Sequence, residues 1–403
     1  MLIGIVGRPN VGKSTFFKAA TLADVLIANY PFATIKPNHA VGYVKVLDLA
    51  PEFGKVSEPR EGFVRDGMNE KGERVKGMWR FVPVELIDVA GLGEGASEGR
   101  GLGNEFLNDL ASADALIQVI DASGESDAEG KPTQNYSPGE DIRVIERELD
   151  KWYLKILSKV WRSFAKSVQV SGKNFEEAIA EQFSGLRITR EHVKSAVKSL
   201  GLDVKHSPSW SEDELLRFAR ELRKKSKPML IVANKMDRPN SRKNLEKIKE
   251  EFEHDVVPCF ADGELALKEA DRAGLIEYVP GESSFEIKAE LSEKQREALD
   301  KIKKFMEEFG STGVQEALNK VVFELLHYIV VFPAGEKLVD SKGRVLPDCF
   351  LLPHGSTALD FAYKLHTDIG NNFVKAIDIR TKRAVGKEYV LQHRDGLEIL
   401  TRS

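Results

Sequence analysis

The sequence predicts a doubly wound α/β domain that is interrupted by a helical insertion and followed by a small α+β domain. Three observations indicate this fold class. Short apolar runs alternate with helical patterns, and a glycine-rich loop lies between the first run and a helical pattern. The chain has 403 residues, more than the roughly 150 of one typical domain. With 42% apolar and 30% charged residues, the composition is that of a globular protein.

Five nearly continuous apolar runs are the candidate strands of the main sheet, at residues 2–6, 84–87, 115–120, 229–233 and 256–259. Runs of this kind are typical of parallel strands that are buried on both faces. Ligands bind outside the carboxyl ends of such strands, so we expect the residues at these ends to line one crevice. Those residues are Gly7, Asp88, Asp121, Asn234 and Ala261.

Two stretches interrupt this alternation. Residues 48–80 are rich in Gly, Pro and charge, which indicates a loop or a small hairpin. Residues 123–227 are predicted to form a helical insertion, because apolar residues recur there at spacings of three and four. The insertion carries a net positive charge, which leaves two interpretations open: a patch that binds RNA, or an ordinary solvated face.

The main domain is thus predicted to be split into residues 1–122 and 228–333. The second part closes with two helices, and Ser292 and Gln295 are spaced to form a capping box on the first of them. A Pro-Ala-Gly break then opens a final segment, 334–403, which is predicted to contain short strands around one helix.

Composition narrows the classes of function. The formal net charge is −4, so any nucleic-acid contact must come from a local patch. Cys259 and Cys349 have no paired spacing, which argues against a zinc site or disulfide framework and favours a reducing compartment. We expect Cys259 to be a small buried apolar residue. No basic segment precedes the apolar start and no window reaches about 18 apolar residues, so we expect a cytoplasmic protein without membrane contact.

Residues 7–14, Gly-Arg-Pro-Asn-Val-Gly-Lys-Ser, match the phosphate-loop pattern G-x-x-x-x-G-K-[ST] between a predicted strand and a predicted helix. The glycines let backbone N–H groups surround the β-phosphate, and the helix dipole favours the anion. Lys13 is expected to contact the β- and γ-phosphates, and Ser14 to bind Mg²⁺. The other predicted nucleotide-binding residues of this loop are Asn10, Val11, Gly12 and Thr15.

Two further motifs complete the predicted phosphate and metal site. Asp88-Val-Ala-Gly91 ends the second apolar run, so Asp88 can hold Mg²⁺ through water and the Gly91 N–H can meet the γ-phosphate. Thr34 lies in the proline-bracketed loop 31–37 and can reach Mg²⁺ and the γ-phosphate when that loop orders. Lys13, Thr34 and Gly91 are therefore the predicted catalytic residues.

The sequence Asn234-Lys235-Met-Asp237 at the end of the fourth run predicts guanine as the base. The Asp237 carboxylate can accept hydrogen bonds from the N1–H and the 2-amino group of guanine. Adenine has no such donor pair and would leave Asp237 desolvated and unpaired. The predicted ligand is GTP or GDP.

These motifs resemble those of the Obg family of P-loop GTPases, and within it the YchF-like proteins. The similar stretches are residues 7–15, 29–38, 88–92 and 98–104, while residues 352–362 resemble a TGS domain, a small β-grasp module. The resemblance implies a Ras-like G domain that hydrolyses GTP slowly as a regulatory switch. It also implies a ribosome or structured RNA as partner, contacted by the insertion and the TGS domain.

The resemblance also assigns roles to single residues. Ala261 is the candidate whose N–H meets the guanine O6, although Phe260 stands where the family usually has serine. Leu92 replaces the glutamine that orients the attacking water in many GTPases, so the water must be positioned otherwise. Asn10 is a candidate K⁺ ligand, with hydrogen bonding to its own backbone as the alternative. Arg8 is expected to face solvent beside the loop.

Base choice remains the point on which family and residues differ. Some YchF-like proteins tolerate adenine, whereas residues 234–237 here are intact, so we predict a preference for GTP over ATP. Two alternatives stay open at this stage. One is an ATP-hydrolysing stress or signalling protein of the same fold, and the other is a nucleotide-gated RNA-binding scaffold with negligible turnover.

Overall fold

The computed structural model describes residues 1–21, 38–89, 110–335 and 337–402. The predicted residues Thr34 and Gly91, together with Leu92, lie outside the described residues. In the described ranges the strands are β1 (Leu2–Val6), β2 (His39–Leu47), β3 (Phe63–Met68), β4 (Arg74–Asp88), β5 (Ala115–Asp121), β6 (Met229–Asn234), β7 (Val256–Pro258), β8 (Ile276–Tyr278), β9 (Phe285–Ile287), β10 (Tyr328–Pro333), β11 (Phe350–Pro353), β12 (Phe373–Asp378), β13 (Ala384–Val385) and β14 (Asp395–Thr401).

The α-helices in the same ranges are α1 (Lys13–Thr21), α2 (Gly139–Ser158), α3 (Trp161–Ser171), α4 (Phe175–Gln182), α5 (Arg190–Leu200), α6 (Glu212–Ser226), α7 (Ser241–Glu251), α8 (Ala261–Arg272), α9 (Glu293–Phe309), α10 (Val314–Asn319), α11 (Ala358–Leu365) and α12 (Thr367–Asn371). Among the described residues, no helix is both long enough and apolar enough to cross a membrane.

The chain folds into two compact units, each with its own set of described residues. The first comprises residues 1–19, 38–40, 85–89 and 110–262, and the second comprises residues 20–21, 41–84, 263–335 and 337–402. This division differs from the predicted segments, because residues 263–327 belong to the second unit rather than to the unit that carries the phosphate loop.

The first unit is built on a parallel sheet. The last residues of β4 pair with β1, and the order continues through β5, β6 and β7, every neighbour being parallel. Strands β1, β5 and β6 are buried along their whole length, as expected for strands covered on both faces. The structure thus confirms the five apolar runs as strands of one sheet.

Residues 123–227 contain five helices, α2 to α6, and so form the predicted helical insertion. Their apolar faces share one core with the sheet: Leu116 and Ile120 of β5 belong to the same buried cluster as Trp152 and Leu157 of α2. Aromatic side chains fill the distal part of this core, where Trp161 stacks on Trp210 with ring centroids 5.2 Å apart. The insertion is therefore packed as part of the first unit.

The second unit contains residues 48–80, for which the sequence predicts a loop or a small hairpin. Strands β3 and β4 form an antiparallel hairpin, with Phe63 opposite Phe81 and their rings stacked at 4.5 Å. Helix α9 begins at the predicted capping box, since the Ser292 side chain accepts from the Gln295 N–H and the Gln295 side chain accepts in return. This local prediction is confirmed.

A five-stranded sheet in the order β11-β10-β14-β12-β13 forms the C-terminal part of the second unit. Helix α11 packs on it through Phe361, against Ile329, Val331 and Leu397. Strand β10 lies between β11 and β14, so this module includes residues from Tyr328 onward and not only from 334. A second short helix, α12, follows α11, because the His366 side chain accepts from the Asp368 N–H and starts a new turn.

Candidate functional site

The phosphate loop runs from the end of β1 to the start of α1 in the first unit. Its backbone is left-handed at Asn10, with φ 64°, and at Gly12, with φ 89°. A Cβ at Gly7 would lie 2.6 Å from the Val119 carbonyl oxygen, and one at Gly12 would overlap the Asn234 amide. Both glycines are therefore required by the close approach of β5 and β6.

Lys13, the first residue of α1, forms an ion pair with Asp88 at the end of β4 and donates to the Val89 carbonyl at 2.9 Å. Both charged side chains are mostly buried, 13% and 21% exposed, whereas Ser14 on the next position is exposed. Loop and strand end thus bring together a cation, a carboxylate and a hydroxyl, which are the groups that a Mg²⁺–phosphate site needs.

Asn234 and Lys235 tie the end of β6 to the phosphate loop. The buried Asn234 amide donates to the Val11 carbonyl at 3.0 Å, and Lys235 Nζ donates to the Asn10 carbonyl at 2.7 Å. Lys235 also pairs at 2.8 Å with Asp121, the last residue of β5. Three of the predicted strand ends therefore meet at one edge of the sheet.

The Asp121 carboxylate organises this edge. It accepts from the Ser123 hydroxyl at 2.5 Å and from the Ser126 hydroxyl, as well as from Lys235. Burial alone would raise the pKa of Asp121, but these hydrogen bonds outweigh it and lower the pKa below its ordinary value. Asp121 is thus a fixed anion that orients Lys235, a role for which its position at a strand end is the only sequence signal.

Asp237 and Ala261, the residues predicted to contact the base, follow the ends of β6 and β7. The Asp237 side chain is 9% exposed and its carboxylate lies 3.9 Å from the Arg238 guanidinium. Ala261 opens α8, and its N–H donates to the Asn234 side-chain oxygen at 3.1 Å. Cys259 is fully buried, in line with the expectation of a small apolar residue. Through Asn234, Ala261 and the phosphate loop lie at one edge of the sheet.

Arg8 lies differently from the sequence expectation, which placed it in solvent and is wrong. Its side chain is only 5% exposed and lies 3.1 Å from the Asp141 carboxylate, in the first turn of α2. Arg8 also donates to the Tyr136 hydroxyl at 3.1 Å, and that hydroxyl donates to Asp141 at 2.8 Å. The insertion supplies the anion, so no local pattern around Arg8 could reveal the contact.

Asn10 also contacts the segment before α2. Its side-chain amide donates to the Gly130 carbonyl at 2.8 Å, 120 positions away in the chain. The contact uses the amide N–H, and the K⁺ role predicted for Asn10 would use the side-chain oxygen. Sequence reasoning missed the residues that meet the loop here, Gly130, Tyr136 and Asp141, which carry no motif.

Family models match three parts of the chain. The model described as 50S ribosome-binding GTPase matches residues 2–159, the Obg-like GTPase YGR210-like, G4 motif-containing domain matches residues 232–336, and the TGS domain matches residues 328–401. The chain is 46% identical to the GTP-binding protein MJ1332 of Methanocaldococcus jannaschii, over 99% of each chain. It is 30% identical to the ribosome-binding ATPase YchF of Bacillus subtilis, over 97% of this chain and 96% of that one.

The chain belongs to the YchF-like group of Obg-family GTPases. A crystal structure of a GTP-binding protein from Pyrococcus horikoshii is similar over the full length of both chains, with 40% identity and a TM-score of 0.77. The predicted family and fold class are thereby confirmed, including the TGS domain. Membership places the chain among P-loop nucleotide hydrolases, which generally bind their nucleotide with Mg²⁺.

Proposed function

We propose that this protein binds GTP and hydrolyses it to GDP and phosphate, as a slow regulatory switch. The observation that carries the proposal is the tie between the base motif and the phosphate loop. Asn234 and Lys235 bond the carbonyls of Val11 and Asn10, so the base and phosphate subsites form one rigid site. A nucleotide held at both ends is recognised as a whole.

The base specificity rests on Asp237. The Asp237 side chain is 9% exposed, and guanine offers an N1–H and a 2-amino group that can donate to its carboxylate. Adenine would leave the carboxylate without these donors, which costs far more than the loss of one neutral contact. The relatives named ribosome-binding ATPases make ATP the competing substrate, and the intact Asn234–Asp237 motif favours GTP over it.

Mg²⁺ fits the oxygen donors of this site. Ser14 is exposed and follows Lys13, the residue that pairs with Asp88, and hard oxygen ligands such as a hydroxyl and a carboxylate suit Mg²⁺. Thr34, outside the described residues, is proposed as the further ligand, and Gly91 as a γ-phosphate contact. The ion would neutralise charge on the β- and γ-phosphates.

Lys13 and Asp88 would exchange partners when the nucleotide binds. Lys13 contacts Asp88 and the Val89 carbonyl, and a triphosphate offers it a stronger counter-charge. Asp88 would then be available to hold Mg²⁺ through water, and Lys13 would stabilise the charge on the phosphates. Because Leu92 cannot orient the attacking water, we expect slow intrinsic turnover.

Single-turnover hydrolysis tests the proposal. With purified protein in molar excess over radiolabelled GTP and with Mg²⁺ present, phosphate should be released slowly. The substitution Lys13→Ala should reduce this rate by at least about a hundredfold. A parallel reaction in K⁺ or Na⁺ tests the proposed role of Asn10, since K⁺ should accelerate hydrolysis. Hydrolysis of ATP at the rate of GTP would contradict the assignment of substrate.

The proposed partner is the ribosome or structured RNA, which rests on the names of relatives and on the match to the 50S ribosome-binding GTPase family. Sedimentation with ribosomal subunits in GDP and in a non-hydrolysable GTP analogue tests it. A switch requires that binding differ between the two nucleotides. Equal or absent co-sedimentation in both would contradict this part of the proposal.

A further inference from the structure

The first unit contains a buried polar contact that the proposed chemistry does not use. Arg8 of the phosphate loop, Tyr136 and Asp141 form a closed triangle of contacts between 2.8 and 3.1 Å. Arg8 and Asp141 are each about 5% exposed. Burying an ion pair stabilises a fold little, and its best attested role is to fix one arrangement over others.

Residues 130–141, here called the collar, contact the phosphate loop at a second point. Asn10 donates to the Gly130 carbonyl at 2.8 Å. A Cβ at Gly130 would lie 3.0 Å from the Asn10 amide and 3.1 Å from the Pro9 carbonyl, so the two backbones are closely packed. Three successive loop residues, from Arg8 to Asn10, therefore rest on the collar.

The collar in turn is fixed to the helical insertion. Asp141 lies in the first turn of α2, a helix of 20 residues whose inner face belongs to the core of the insertion. The Asp141 carbonyl accepts from the buried Gln118 amide of β5 at 2.9 Å. A displacement of α2 would thus move Asp141, and the ion pair would transmit this movement to Arg8.

We infer that Arg8, Tyr136 and Asp141 are positioning residues that couple the nucleotide site to the helical insertion. The phosphate loop must hold left-handed backbone at Asn10 and Gly12 to point its N–H groups at phosphate. The contacts among Arg8, Tyr136 and Asp141 hold the loop in that conformation before nucleotide binds. The free-energy cost of ordering the loop on binding is therefore smaller. By reciprocity, a partner that moves α2 changes nucleotide affinity, and nucleotide changes the affinity for that partner by the same factor.

The inference rests on the proposed nucleotide function, and full-length variants test it. Asp141→Asn and Tyr136→Phe keep the shape of each side chain and remove the charge or the hydroxyl. We expect each to raise the dissociation rate of a fluorescent GDP analogue by about tenfold, within the usual range of coupling between sites. The double variant Arg8→Ala with Asp141→Asn should release the GDP analogue only slightly faster than Arg8→Ala alone, because both substitutions remove the same contact.

Two controls separate positioning from stability. Asp150→Asn breaks a buried ion pair of the same helix, where Arg223 lies 2.9 Å from Asp150, without touching the phosphate loop. Glu140→Gln removes a first-turn carboxylate of α2 that is about half exposed. We expect both controls to keep the wild-type dissociation rate, even though Asp150→Asn lowers the melting temperature at least as much as Asp141→Asn.

The outcomes are distinct. Wild-type rates in Asp141→Asn and Tyr136→Phe, or an equal acceleration in Asp150→Asn, would overturn the coupling while leaving nucleotide binding intact. Fully additive effects of Arg8→Ala and Asp141→Asn would overturn it as well. If the wild-type protein binds no GDP analogue at all, the proposed function fails and the inference falls with it.

Discussion

At the scale of single residues, backbone geometry limits the nucleotide site as much as side-chain chemistry does. Gly7 and Gly12 lie so close to β5 and β6 that neither position has room for a Cβ. Lys13 and Lys235 each form an ion pair with a carboxylate at the end of a different strand. The glycines of the phosphate-loop motif therefore serve two purposes. They allow β5 and β6 to approach closely, and in the proposed function they let backbone N–H groups face the phosphates.

Gly12→Ala is expected to abolish nucleotide binding. The new methyl group would overlap the Asn234 amide, and the left-handed φ of 89° adds strain. We expect GDP affinity to fall by at least about a hundredfold, because both the phosphate loop and its tie to β6 must shift. Equilibrium binding of a fluorescent GDP analogue measures this.

Gly172→Ala is the matched control, since Gly172 also has a left-handed φ, 66°, but has open space around its Cβ position. It should cost about 1 kcal/mol of stability and leave GDP affinity unchanged. Similar affinities for Gly12→Ala and wild type would show that the predicted overlap is relieved without cost.

At the scale of elements, α2 links the core of the insertion to two other parts of the first unit. Its first turn holds Arg8 through Asp141, and one turn later Glu146 pairs with Arg223 of α6 at 3.3 Å and with His254 at 3.1 Å. Helix α2 is thus held by these ion pairs as well as by its buried apolar side chains.

The lowered pKa of Glu146 predicts that the free energy of unfolding decreases in acid. Burial alone would raise its pKa, but the hydrogen bond from His254 and the charge of Arg223 outweigh burial and lower the pKa to about 2. A folded-state pKa below the unfolded value of 4.5 means that the contribution of Glu146 is complete above pH 4.5. It is lost as the pH falls through 4.5 towards 2.

Glu146→Gln should therefore lower the free energy of unfolding at pH 7 by about 1–3 kcal/mol. The difference from wild type should shrink as the pH falls below 4.5, measured by urea unfolding across that range. Glu181→Gln, at an exposed position of α4, should follow the wild-type curve. A difference that stays constant down to pH 2 would contradict the assigned pKa.

At the scale of the whole molecule, local patterns predicted most of the architecture. The five parallel strands, the helical insertion, the capping box at Ser292 and the TGS domain all follow from periodicity or motifs within short windows. The motif residues of the phosphate loop and of β6 likewise meet at one edge, because parallel strands end on the same side.

What the sequence did not predict depends on contacts between distant parts of the chain. Arg8 and Tyr136 are 128 positions apart, so burial of Arg8 depends on how the insertion packs, which no local pattern encodes. The assignment of residues 263–327 to the second unit has the same cause. The last module was predicted to begin after the Pro-Ala-Gly break at 333–335, but β10, which precedes this break, pairs with β11 and β14 of that module.

We propose that the protein selects guanine through Asp237, and isothermal titration calorimetry with Mg²⁺ and non-hydrolysable analogues measures this selectivity. The wild type should bind the GTP analogue at least about a hundredfold more tightly than the ATP analogue. Asp237→Asn should bind the xanthosine triphosphate analogue more tightly than the GTP analogue. The asparagine amide can donate to the 2-oxo group that replaces the guanine 2-amino group. Comparable affinities for the GTP and ATP analogues, or unchanged selectivity in Asp237→Asn, would contradict the account.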